Sequence, residues 1–179
     1  MKKVSIVTAL LLAFPYPALS DDDRGTIRAN LSGFQEVPVV STTGEGRFRA
    51  EAVSPELLNW ELTYEAMEGT VTQAHVHIAQ RNVNGGIVIW LCQSTTNPAP
   101  ASAGVVPTCT SPSGSFTGAV TPANVQTVAA QHFGPPDLAE VIAFMRAGLA
   151  YANVHTNLSP GGEIRGQTRR GGGHHDRDD

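Results

Sequence analysis

A chain of 179 residues, 41% hydrophobic, is long enough for one domain with a proper apolar core. Sixteen acidic against twelve basic residues give a formal charge of −4 with no basic cluster in the folded part, which argues against nucleic acid as a partner. The 18 glycines and 12 prolines, spread among short β-prone runs, favour a turn-rich all-β domain.

Lys2 and Lys3 precede an apolar run from Val4 to Phe14, and Ala18-Leu19-Ser20 places small residues before Asp21. This predicts a signal peptide over residues 1–20; the apolar run is short for a bilayer span, and an uncleaved anchor is the alternative. Cleavage leaves 159 residues and, with Lys2 and Lys3 gone, takes the charge from −4 to −6. The mature protein is then expected to be secreted or periplasmic, with no membrane span.

The domain is expected over residues 26–168. Thr26 to Leu31 alternates as a strand with Ile27, Ala29 and Leu31 on one face. Pro38 marks Gly33–Val40 as an edge or loop. Thr43-Gly44-Glu45-Gly46 reads as a turn. Gly46–Val53 and Leu57–Met67 form an antiparallel pair, with Phe48, Leu58, Trp60, Leu62 and Tyr64 alternating. After Glu68-Gly69 comes Ala74-His75-Val76-His77-Ile78, whose two histidines share a face if the run is a strand. Arg81–Gly86 turns into Ile87–Leu91, an unbroken apolar run expected to be covered on both faces.

Cys92 and Cys109 are the only cysteines. In an oxidising compartment they are expected to pair, closing the loop Gln93–Thr108 and contributing about 2–4 kcal/mol. A two-thiolate metal site is the alternative, and it lacks a C-x-x-C spacing. Ser115–Val120 returns as a strand. Thr121-Pro122 and Asp137 read as two helix starts, the second carrying Leu138, Val141, Ile142 and Met145 at helical spacing before Gly148. A final hairpin joins Tyr151–Thr156 to Glu163–Thr168, and residues 169–179 form a polar tail expected to be disordered, with His174 and His175 serving at most to recruit metal.

His155 stands opposite Ala152 and Val154, as His75 and His77 stand opposite their apolar neighbours. Three imidazoles are therefore expected to meet on an exterior patch of the β-framework and bind one metal ion, with copper preferred over zinc by the affinity order for nitrogen donors. His132 is a candidate fourth ligand, with a surface or capping role as the alternative. Arg165 is expected to form a bidentate ion pair with Glu36 or Glu163, pinning the hairpin to Gln35-Glu36, with anion steering as the other reading. No G-x-S-x-G motif accompanies these carboxylates.

Phe34-Gln35-Glu36-Val37-Pro38, Gly44, Ala74-His75-Val76-His77, Asn84-Gly85-Gly86-Ile87-Val88, and Tyr151–Thr156 followed by Gly161-Gly162-Glu163-Ile164-Arg165-Gly166-Gln167 together resemble the CHRD (chordin) domain family. The resemblance covers roughly residues 26–168 and carries no general biochemical activity with it. The histidine and arginine layout also resembles copper-zinc superoxide dismutases, which are Greek-key β proteins. That likeness implies copper ligands at His75, His77 and His155 and superoxide steering at Arg165. Two features depart from it: a long His/Asp-rich zinc loop is absent, and the cysteines span a local loop.

The expected fold is an all-β Greek-key β-sandwich with one or two short helical insertions. The leading expectation for function is a copper-binding domain with a redox role on a small oxygen species. The alternative is a binding or structural module without cofactor, recognising a protein or glycan partner. Whether the chain is an enzyme stays open.

Overall fold

The computed structural model describes residues 26–171, so the leader-like segment and the last eight residues, His174 and His175 among them, lie outside it. Among the described residues nine strands form one curled sheet: β1 (Thr26–Ser32), β2 (Glu45–Ser54), β3 (Leu57–Glu65), β4 (Val71–Ile78), β5 (Gly86–Cys92), β6 (Gly114–Val120), β7 (Ala150–Thr156), β8 (Ile164–Gln167) and β9 (Arg169–Arg170). Their order is β5-β4-β7-β8-β1-β2-β3-β6, with β9 added to β1. The joint between β8 and β1 is thin: Ser32 is registered with Arg165, the same register resumes only at β9 with Arg28–Arg169 and Ile27–Arg170, and the curled sheet divides there into two leaves. The chain crosses between leaves after β3, β5 and β6 and passes back at the β8–β9 joint, which gives the Greek-key connectivity expected of an all-β protein.

Alternation fills the space between the leaves. Phe48 lies opposite Ala29 on one side and Leu62 on the other, and Ala50 opposite Ile27 and Trp60; all are buried. Ala74, Val76, Ala152, Val154 and Ile164 supply the facing layer. The single α-helix among the described residues, α1 (Leu138–Arg146), begins where Asp137 accepts a hydrogen bond from Glu140 N at 3.1 Å, and it buries Leu138, Val141, Ile142 and Met145. The second expected helix is smaller than its start signal suggested. Thr121 and Pro122 open one 3-10 turn, Pro122–Asn124, with a capping box closed by Asn124. A capping signal fixes where a turn starts but not how far it runs: Val125 is already extended (φ −73°, ψ 134°), and Val125 and Phe133 enter the core from non-helical backbone.

Cys92 and Cys109 are disulfide-bonded, closing the expected loop. The segment expected to be a tail from residue 169 begins instead with β9, paired to Ile27 and Arg28.

Candidate metal centre

The register of β4 against β7 builds the site. His75 lies opposite Asn153, His77 opposite Tyr151, and Gln73 opposite His155. These side chains stand on the leaf's outer side, away from Val76 and Ala152. Neighbouring strands extend the grid: β5 sets Trp90 beside His75, and β8 sets Arg165 beside Asn153 and Gln167 beside Tyr151. The imidazole centroids of His75 lie 5.5 Å from His77 and 5.1 Å from His155, and those of His77 and His155 lie 6.2 Å apart. One ring nitrogen from each of the three falls within 4.8 Å of the others.

The patch is not on the exterior. His75 is 0% exposed, and His77 and His155 are 7% exposed. Alternation correctly sends the rings away from the apolar core, but it carries no information about loops that fold back over the outer face. Three such loops do so here. Arg165 holds two of them: its Nε donates to Gln35 O (2.7 Å), Nη1 to Asn84 Oδ1 (2.8 Å) and Nη2 to Val83 O (3.4 Å). Asn84 Nδ2 ties the same two loops by donating to Val37 O at 3.2 Å. The third loop, between β7 and β8, approaches through Gly162, whose φ of +128° suits glycine and where a Cβ would stand 2.5 Å from Glu36 Oε1 and Asn153 Nδ2.

Hydrogen bonding assigns the tautomers of two rings. His77 Nδ1 lies 3.0 Å from Gly85 O, and His155 Nδ1 lies 2.9 Å from Pro160 O. A carbonyl only accepts, so both Nδ1 atoms carry the proton and both Nε2 atoms present a lone pair. Neither Nε2 has a hydrogen-bond partner, nor has either nitrogen of His75. Leaving a buried polar atom unpaired costs about 1–3 kcal/mol; four ring nitrogens are so left, and one from each histidine lies within 4.8 Å of the others. That is the arrangement expected of ligands facing an ion, with outer carbonyls fixing the rings.

Burial keeps the rings neutral, the state a ligand needs. It pushes the His77 pKa down to about 4 and lowers those of His75 and His155, His75 also feeling its two neighbours. Glu36 moves the other way: burial raises its carboxyl to about 7, against the opposing pull of Arg165 and the hydrogen bond from Asn153 Nδ2 (2.5 Å).

Aromatic rings wall the cluster. The Trp90 indole meets His75 edge-on at 4.2 Å, and Tyr151 stacks parallel on His77 at 4.7 Å with Arg165 4.3 Å from its ring centre. Neither aromatic is evident from sequence reasoning. Tyr151 carries a signal, standing four residues before His155 on the same strand face. Trp90 carries none, because register shifts in the β4–β5 pair break the alternation that would place it.

A sequence profile comparison matches the CHRD domain over residues 27–168. The chain belongs to the CHRD family. CHRD domains are generally extracellular, and no helix of the described residues is long and apolar enough to cross a membrane. Comparisons with curated proteins and with solved structures find no match.

The remaining sequence candidates fall as follows in this CHRD domain. His132 is exposed, in a left-handed conformation (φ 56°) closing a 3-10 turn, and outside the histidine cluster. Arg165 is 2% exposed and its hydrogen bonds reach two backbone carbonyls and one side-chain amide oxygen; the expected bidentate bond to a carboxylate is replaced by this set, while Glu36 feels its charge at longer range. Its Nε–H bond to Gln35 O ties the hairpin to that segment. Glu163 is spent elsewhere: it accepts from Thr42 Oγ1 (2.7 Å), Glu68 N (2.8 Å), Thr156 Oγ1 (2.7 Å) and Gly69 N (3.3 Å). It precedes β8 and staples the β3–β4 turn to the final hairpin.

Proposed function

We propose that this protein is an exported CHRD domain that holds one copper ion through His75, His77 and His155. The observation that carries the reading is the set of unpaired, buried imidazole nitrogens, one from each ring lying within 4.8 Å of the others, with two of the rings oriented by carbonyls behind them. Imidazole donors suit copper and zinc alike, and the affinity order for divalent ions favours copper. Export, whether to a periplasm or to the medium, is supported by the leader-like residues 1–20 and by the family's extracellular character.

Enclosure of all three rings favours holding the ion over turning over a dissolved oxygen species. Arg165, its guanidinium engaged with the covering loops, is on this reading a positioning residue. The test is a copper titration of the ligand-free protein, with and without ascorbate, followed by gel filtration and metal analysis. One equivalent of copper is expected to remain with the wild type and none with a His75→Ala/His77→Ala variant; stoichiometric copper on the folded double variant would remove the reading. Superoxide assays on copper-loaded protein separate holding from dismutation: the rate is expected to stay at that of the ligand-free protein.

A further inference from the structure

Resting on the copper-binding reading above, we propose that the centre is built for a monovalent ion, copper(I), held by three imidazoles alone, in preference to a divalent ion that brings water or a fourth donor.

The first argument is charge. The donor cluster contains His75, His77 and His155 and no carboxylate or thiolate. Glu163 is held by four donors of its own, and Glu36 is bonded to Asn153 Nδ2. On the other side of the balance, the Arg165 guanidinium lies against Tyr151, which stacks on His77. An ion in the centre therefore keeps its full charge in a buried setting. The cost of removing an ion from water grows as the square of its charge, so a divalent ion loses about four times as much hydration as a monovalent ion of the same size. Three neutral donors give that loss no anionic compensation.

The second argument is space and water. Zinc in a three-ligand site keeps a fourth position for water or substrate, and that position needs an open side. Here His75 has no exposed surface, Trp90 stands edge-on against it, and Tyr151 covers a face of His77. Copper(I) has a filled d shell and is content with three donors in a plane. Dryness and neutrality thus supply a selectivity that imidazole, which suits several metals, does not supply by itself.

Full-length protein loaded anaerobically with copper(I), or with silver(I) as a redox-inert substitute, is compared with protein given copper(II) or zinc(II). X-ray absorption counts the donors, and a poised titration reads the copper couple against copper in free imidazole at the same pH. One copper(I) with three nitrogen donors is expected, together with a couple more positive than in free imidazole. Trp90→Ala, checked for folding by circular dichroism, is expected to admit water and lower the couple, with Trp90→Phe restoring it. If Trp90→Ala does not fold, the wild-type donor count and couple decide. A fourth oxygen or nitrogen donor on copper(I), or a couple no more positive than in free imidazole, would overturn the preference and leave the three-histidine site standing. Failure of every one of these ions to bind would overturn the site itself.

Discussion

The His77 ring is held from behind by Gly85, whose carbonyl oxygen accepts the Nδ1 proton at 3.0 Å and leaves Nε2 facing His75 and His155 without a partner. Gly85 reaches this position by lying against the backbone of Ile78, where a Cβ would collide with the Ile78 carbonyl oxygen. Gly85→Ala is therefore expected to push the loop away and release the ring. Loss of such an outer partner lowers metal affinity by about 10–100-fold. Competition titration against a chromophoric chelator checks this; an unchanged affinity would show that the carbonyl does not orient the ligand.

Protonation opposes burial of the histidines, and the sign follows from their lowered pKa values. Below an unfolded value of 6.5 the unfolded chain takes up protons that folded His77 refuses until about pH 4, so stability falls as pH drops through that window. Each histidine that behaves so contributes a slope of about 1.4 kcal/mol per pH unit, and His75 and His155 shift in the same direction. Glu36 opposes them. Its folded value of about 7 against 4.5 means the folded state holds the extra proton between those limits, so its contribution weakens as pH rises. Urea denaturation of ligand-free protein from pH 4.5 to 7 is expected to show stability rising with pH, and rising more steeply by about 1.4 kcal/mol per unit in Glu36→Gln.

Much of this arrangement is legible in the sequence, and the remainder has a physical reason for being hidden. Period-two alternation places His75, His77 and His155 opposite apolar neighbours, and that suffices to put them on one side of adjacent strands. The cover is not periodic. It depends on Arg165 bridging Gln35, Val83 and Asn84 across up to 130 residues of chain, which no local pattern encodes. The partner of Arg165 is hidden for the same reason: a buried guanidinium is satisfied by carbonyl oxygens as well as by carboxylates, and carbonyls leave no mark in a sequence. Glu163 shares a parity with Arg165 but stands just before β8, so alternation does not govern where its carboxylate goes.

Glu163 accepts hydrogen bonds from two threonine hydroxyls and two backbone amides, and its carboxyl is held below the usual range by those donors despite burial. Glu163→Gln turns an amide group toward backbone N–H donors and is expected to cost about 2–3 kcal/mol at pH 7. The sign of the lowered pKa means this stabilisation is present above about 4.5 and fades as pH falls further. Thermal melts of both proteins should therefore draw together as pH falls below about 4.5; a gap that does not narrow there would show that the loss is one of packing.

The disulfide is expected to be structural and separable from the metal. Removing it through Cys92→Ala/Cys109→Ala frees a loop spanning 17 positions, which corresponds to about 3 kcal/mol of lost stability in the chain-entropy account. Copper stoichiometry should be unchanged in this variant. Loss of copper from a protein that still folds would restore the thiolate alternative.

Arg165→Lys separates covering-loop positioning from anion steering. Lysine keeps the charge but lacks the planar fork that reaches Gln35 O, Asn84 Oδ1 and Val83 O together, and its point charge does not lie flat on Tyr151. If Arg165 acts by holding the loops, the variant is expected to lose about 2–4 kcal/mol of stability, to exchange the amide protons of residues 83–85 faster, and to release copper faster. If the residue steers anions, lysine would preserve that attraction, and any superoxide reactivity of copper-loaded protein would survive with its ionic-strength dependence intact. Hydrogen exchange and copper release measured on the same preparation distinguish the two, because only the loop-holding role couples them.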